Sequence, residues 1–426
     1  MELGYLSIWK KYNIESYWHG DSMINEKMFG LGNEASIIRE LSEYGNKRKE
    51  IVGEDNVYDF SIGNPSIPAP LEVNETLIDL LKNMDSVSLH GYTSAPGDKH
   101  VRDMIASNLN ERFNCKAKGE LIYLTQGASA SLSISLRALI NEGDEVIVFA
   151  PFFPEYRIFI NNAGGKMVEV QPDLSSFYPD FEDFSRKISY RTKVVIINSP
   201  NNPTGVIYPH GVIDKIASIL KSKQIEYGHE IYLCSDEPYR ELVYKEIEYP
   251  FITNYYDNSL VFYSFSKSIS LPGERIGYIL VSSKCKDSER VYKAICGAGR
   301  SLGFICASSL FQFALPKIVN SLSDLSKYKE NRDILSKGLL DLGYEFIQSE
   351  GAFYLFVKAL EDDAVAFCKK ALKYDLILVP SDSFGIKGYV RIAYCVNKKR
   401  IIDSLPAFRK LKELYLEERK WIRWII

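Results

Sequence analysis

The sequence predicts an α/β fold: a large domain on a mostly parallel sheet, with a smaller α+β domain built from both termini. Three observations carry that expectation. Short β-branched runs recur through the middle of the chain and are apolar almost throughout, as strands buried on both faces must be. Helical patterns lie between several of them, and alternation of strand and helix is the signature of parallel pairing. The chain's 426 residues exceed one small domain at roughly 100–200 residues each, and both ends differ in pattern from the middle.

Taken in order, residues 1–32 read as an N-terminal extension or arm. Its opening, MELGYLSIWKKYNIESYWHG, carries lysines inside an aromatic stretch and no apolar run ending at small residues, so it does not read as a signal peptide. Residues 32–52 (GNEASIIRELSEYGNKRKEIV) read as an amphipathic helix within the first part of the smaller domain, 33–75. The large domain, 76–310, holds the candidate strands Leu121–Thr125, Glu145–Phe149, Lys193–Asn198, Glu230–Cys234, Leu260–Tyr263 and Ile276–Ser282. Ser129–Asn141 and Ile213–Lys223 are helical patterns between them. Long charged helical patterns come after residue 310, then a strand pair around Phe353–Val357 and Tyr389–Ala393, completing the smaller domain over 311–416. The tail, Glu417–Ile426 (EERKWIRWII), has the aromatic and basic character of an interfacial helix, but its shortness favours a helix end packed on protein.

Composition narrows the function. A hydrophobic fraction of 46% and a charged fraction of 25% exclude global disorder. The 52 basic and 55 acidic residues leave a net charge of −3, which gives no overall attraction to nucleic acid or an anionic membrane. Seven cysteines, without a CxxC pair or a Cys/His cluster, offer neither a disulfide framework nor a structural metal site. The longest apolar stretch in the body of the chain, Val146–Phe153, falls far short of the ~20 residues of a spanning helix. The expectation is a reduced, cytoplasmic chain with no stable membrane association.

Chemistry concentrates at strand ends. Tyr263–Lys267 (YSFSK) is followed by Leu271–Tyr278 (LPGERIGY), placing a lysine among hydroxyl residues directly after a strand. A lysine carried off a strand end into a dry pocket has a lowered pKa and can form a Schiff base, and serines with an arginine can hold a phosphate. On its own, a lysine between serines is most often a solvated loop residue. Two further segments change the balance. Ser235–Tyr239 (SDEPY) puts Asp236 after another apolar strand, at the carboxyl edge where open α/β sheets bind ligands; an aspartate there can cap a helix or keep a pyridinium nitrogen protonated. Ser199–Gly205 (SPNNPTG) comes after a third strand, and turn chemistry alone would explain it. Three polar groups at three strand ends are harder to explain that way.

On these residues the chain resembles the fold-type I, pyridoxal-phosphate-dependent aminotransferases of class I/II, the aspartate aminotransferase superfamily, over residues 33 to 415. The resemblance implies a seven-stranded sheet sandwiched by helices and pyridoxal 5'-phosphate as cofactor. It implies that Lys267 is the Schiff-base lysine, that Ser264 and Arg275 bind the phosphate, and that Asp236 pairs with the ring nitrogen. Tyr239 and Asn202 would hydrogen-bond the ring's 3-oxygen. Tyr92, opening a YTSAPG stretch that runs on to Arg102, resembles a tyrosine reaching the phosphate across a dimer interface. Gly127, Ala128 and Ser129 open a helix whose free N–H groups suit a phosphate. Phe153, in Pro151–Tyr156 (PFFPEY), matches an aromatic stacked on the cofactor. Arg391, in Val379–Tyr394 (VPSDSFGIKGYVRIAY), would clamp the substrate α-carboxylate, a bidentate task lysine cannot reproduce. Gly63 resembles a backbone contact to the same carboxylate. Arg300 (GAGRSLGF) lies close to where dicarboxylate-specific relatives carry a second arginine, supplied by the partner subunit.

The resemblance also implies a reaction: ping-pong transfer of an amino group from an L-amino acid to a 2-oxo acid, by a homodimer with shared sites. Aspartate with 2-oxoglutarate is one plausible pair. The same fold hosts C–S lyases, decarboxylases and synthases acting at Cα or Cβ, since fold does not decide reaction. An effector-sensing regulator is the rival from another class, and the short N-terminal extension leaves no room for its DNA-binding module.

Overall fold

The computed structural model describes residues 24–33 and 36–425, with side chains as far as 418. Of the expected N-terminal arm, residues 1–23 lie outside this range, and Glu26–Asn33 is helical. The described chain separates into two compact units. The larger runs from Asn64 to Lys329 and adds Ile347–Phe353; the smaller takes the described residues before Asn64, Glu330–Phe346 and those from Tyr354 on.

Seven strands make the sheet of the larger unit: β1 (Ile122–Thr125), β2 (Glu145–Phe149), β3 (Lys166–Val170), β4 (Thr192–Asn198), β5 (Tyr232–Asp236), β6 (Ser259–Ser264) and β7 (Gly277–Val281). Their order is β1-β7-β6-β5-β4-β2-β3. Strand β7 is antiparallel to both its neighbours, β1 and β6, and every other pair is parallel. Strands β1, β6 and β7 are buried at every residue, the consequence of apolar character on both faces. The edge strand β3 is the one missing from the six runs read in the sequence. Lys166 is exposed and Glu169 half-buried, so it lacks the continuous apolar run that marks the interior strands. Helices Leu71–Asn83 and Ser309–Ile318 pack on each other within this unit, whereas the sequence pattern places the domain edges at 75/76 and 310/311.

The parallel strands β4, β5 and β6 lie side by side, with Asn198 in register with Asp236 and Asp236 with Phe262. Their carboxyl ends therefore share one edge. The three polar segments singled out in the sequence leave the sheet there together.

In the smaller unit, helix Ile37–Val52 presents Ile37, Leu41 and Gly45 to the interior. Tyr354–Lys358 and Tyr389–Ala393 pair antiparallel, and Val379–Pro380 joins Tyr389–Ala393 on its other side. Tyr58–Asp59 pairs parallel with Leu376–Ile377. The closing helix, Lys398–Ile425, runs through the segment read as a tail. It buries Phe408 and Leu411. No helix among the described residues is long and apolar enough to cross a membrane.

Candidate active site

Asp236, the last residue of β5, is 4% exposed. Its backbone carbonyl accepts from Asn198 Nδ2 at 2.8 Å, which ties the ends of β4 and β5 together. Its carboxylate accepts from the Tyr156 hydroxyl through Oδ2 at 2.6 Å. Oδ1 is buried and has no hydrogen-bond partner among the described residues. Burial pushes the carboxyl up to about 7; the Tyr156 hydrogen bond opposes the rise and the charge of Glu237 adds to it. An unpaired oxygen on a buried carboxylate is costly unless a donor arrives.

A second group gathers where β1, β6 and β7 meet. Gly127 ends the turn after β1 at φ +88° and caps helix Ala128–Leu139. A Cβ on Gly127 would lie 3.0 Å from Arg275 Nη2, so this backbone must stay bare for the guanidinium to approach. Arg275 adopts a left-handed φ of +51° and donates from Nη1 to the Pro272 carbonyl at 3.0 Å. Across the β6–β7 pair, Ser264 stands in register with Gly277. The Ser264 hydroxyl caps the short helix Phe265–Ser268 by accepting from the Ser266 N–H, and the two hydroxyls are 2.8 Å apart. Ala128 is half-buried and Ser129 exposed on the first turn of their helix.

Lys267 sits on that short helix, half-buried, with Nζ 5.5 Å from the centroid of the Phe353 ring. The same ring meets Tyr239 edge-on at 5.5 Å. Tyr239 and Asn202 are both buried, and the Asn202 N–H donates to Asn198 Oδ1 at 2.7 Å. Phe153 is half-buried and packs edge-on against Tyr156 at 5.7 Å.

Arg391 belongs to the smaller unit and is 2% exposed. Its guanidinium lies 4.6 Å from the Tyr354 ring centroid and 5.2 Å from that of Phe384, and one Nη donates to the Ser61 carbonyl. Two rings and a carbonyl thus fix the plane of the fork. Gly63 is half-buried, two residues beyond Ser61. Two of the residues expected from the sequence lie at the surface of the chain. Tyr92 is 97% exposed, and Arg300 is exposed in the last turn of helix Ser288–Leu302.

Residues 55–404 match the family model for aminotransferase class I and II. An aspartate aminotransferase of Thermotoga maritima is 32% identical over 377 residues, covering 86% of this chain and 95% of the relative. Among solved structures, an amino transferase from Eubacterium rectale is 52% identical with a TM-score of 0.91, covering 92% of this chain and 99% of that one. The structure of the Thermotoga maritima aspartate aminotransferase superposes with a TM-score of 0.80 at 30% identity, covering 91% and 99%. The chain belongs to the class I and II aminotransferase family. It is a transferase of amino groups, and its family works with pyridoxal phosphate.

The residues of this aminotransferase fit that cofactor. The unpaired, buried Asp236 Oδ1 suits a cationic ring N–H. A bare glycine, two serine hydroxyls, a guanidinium and a helix N-terminus suit a phosphate. One residue at the site carries no signal in the sequence. Tyr156 closes the PFFPEY segment, and its partner lies 80 positions away in the chain. A tyrosine after an apolar strand reads as core, and no local spacing reveals the bond.

Proposed function

We propose that the chain is a pyridoxal-phosphate-dependent aminotransferase that moves the amino group of an L-amino acid to a 2-oxo acid by a ping-pong route. Aspartate is the amino donor favoured by the relatives' names, with 2-oxoglutarate as the accepting oxo acid. The observation that supports the reading most is the buried Asp236 carboxylate: one oxygen is held, the other unpaired, on the strand beside the one that delivers Lys267.

Asp236 would hold the ring nitrogen, Asn202 and Tyr239 the ring's 3-oxygen, and Phe153 one ring face. Ser264, Arg275 and the Gly127–Ser129 turn would hold the phosphate. When bound, the cofactor supplies an electron sink for the charge released at the substrate Cα. Lys267 would carry the cofactor through Nζ and, once displaced by the substrate's nitrogen, take the Cα proton at that same atom. Arg391 and the backbone at Gly63 would bind the substrate α-carboxylate. Exposed Tyr92, with exposed Leu71, Val87 and Ile305, supports a homodimer in which each subunit lends Tyr92 to the other's phosphate site. Arg300 would serve a distal carboxylate in the same shared manner.

Borohydride reduction of the cofactor-loaded protein followed by peptide mapping tests the covalent assignment. The expected label falls on the Ser264–Ser268 peptide, and label on another lysine overturns it. A single turnover with a panel of amino acids tests the reaction. Release of the matching oxo acid with the cofactor left aminated supports transamination; release of pyruvate and ammonia makes the protein a C–S lyase instead.

A further inference from the structure

Tyr156 lies on helix Glu155–Asn162, reached from β2, and its side chain is fully buried. Its hydroxyl gives the Asp236 carboxylate its one hydrogen bond among the described residues. The Phe153 ring braces it edge-on, and Asn198 fixes the Asp236 main chain from the β4 side. The carboxylate is therefore pinned at one oxygen and presented at the other.

We propose that Tyr156 is a positioning residue for the cofactor: by donating to Asp236 Oδ2 it fixes the carboxylate plane, leaves Oδ1 alone to meet the ring nitrogen, and favours the ionised form. The proposal rests on the role read for Asp236 above. It needs the hydroxyl to be a donor at every working pH. Burial, then the negative charge of Asp236, hold the Tyr156 phenol well above its ordinary value, so it keeps its proton. The other titratable groups facing the pair are few. Tyr239 and Tyr208 face the phenol, and Glu237 is next to Asp236 in the chain, with its carboxylate paired to Arg240 at 3.0 Å. Burial pulls Asp236 toward the neutral acid and Tyr156 is the group that pulls it back.

A protonated ring nitrogen binds the carboxylate, so a neutral Asp236 must first release its proton. Cofactor affinity therefore declines as pH falls through the carboxyl's own pKa, about 7 in the cofactor-free protein. Removing the phenolic donor raises that pKa and moves the acid limb to higher pH.

The test titrates cofactor-free protein with pyridoxal phosphate by fluorescence quenching, from acid to mildly alkaline pH, for the wild type, Tyr156→Phe and Asp236→Asn. Loss of a hydrogen bond to a charged group predicts affinity about ten-fold to a hundred-fold weaker in Tyr156→Phe, with its acid limb displaced upward. Asp236→Asn should lose the part of the limb that follows the carboxyl, keeping only what the cofactor phosphate and Lys267 Nζ contribute. If Asp236→Asn loses that part of the limb but Tyr156→Phe keeps both the wild-type affinity and the wild-type limb, the role of Tyr156 is overturned and that of Asp236 stands. If Asp236→Asn keeps the wild-type limb, the reading of Asp236 itself falls, and the proposal with it. Should Tyr156→Phe not fold, 3-fluorotyrosine at position 156 gives a more acidic, stronger donor. The limb must then move to lower pH, and an unmoved limb overturns the proposal.

Discussion

Arg391, proposed to bind the substrate α-carboxylate, shows how one side chain can be made rigid. Its guanidinium sits between Tyr354 and Phe384 and is anchored on the Ser61 carbonyl, so little rotamer freedom remains to be lost on binding. Lysine keeps the charge but cannot present two parallel N–H groups. Arg391→Lys is expected to lower kcat/KM for the amino acid about ten-fold to a hundred-fold, chiefly through KM, as befits loss of a charged hydrogen bond. Steady-state kinetics check this; an unchanged KM would remove Arg391 from substrate binding. At this scale the sequence is legible wherever a polar residue comes directly after an apolar strand. Lys267, Asp236 and Asn202 stand out that way because strand ends expose their chemistry. Tyr156 does not, since the role proposed for it lies in a contact the fold alone creates.

The sheet edge at β3 is held by charge as much as by pairing. Helix Phe181–Lys187 is tied to it by Asp183, which accepts from the Gln171 N–H at 2.9 Å and from Lys187 Nζ at 2.7 Å; Lys187 in turn donates to the Glu169 carbonyl at 2.6 Å. Burial alone would raise the Asp183 carboxyl, but the hydrogen bonds from Lys187, Gln171 and Arg186 prevail and hold it at about 2. A folded-state value below the ordinary 3.8 stabilises the fold above that pH and ceases to do so as pH falls toward 2. Asp183→Asn should therefore cost about 1–3 kcal/mol near neutral pH. Urea unfolding of both proteins should show the gap narrowing once pH drops below about 4; a gap independent of pH would refute the assignment. The same edge explains what a pattern cannot reveal. Interior strands announce themselves by unbroken apolar runs, whereas in β3 (KMVEV) Lys166 and Glu169 cut the run short, so it looks like a loop from sequence alone.

Nearly the whole architecture is legible in the sequence, because alternating strands and helices leave few topologies open. Domain edges are less so: helices Leu71–Asn83 and Ser309–Ile318 join the larger unit by packing on one another, a tertiary fact with no local signal. Assembly supplies the molecule-scale test. If Tyr92 serves the partner's site, mixing Lys267→Ala subunits with subunits inactivated at Tyr92 gives dimers with one doubly damaged site and one intact site. Activity should partly recover, and no recovery in proven heterodimers would count against sharing. The inverted strand β7 has a consequence of its own. In a wholly parallel sheet, the residue just before a strand always sits at the far edge from the ligands. Because β7 runs backwards, the chain leaves the ligand edge at Ser264 and returns to it at Gly277, so Lys267 and Arg275 lie on one hairpin. The lysine proposed as covalent anchor and the guanidinium proposed for the phosphate are thus sequence neighbours, joined by a short closure that costs little entropy. They can be in place before the distant strands have found each other.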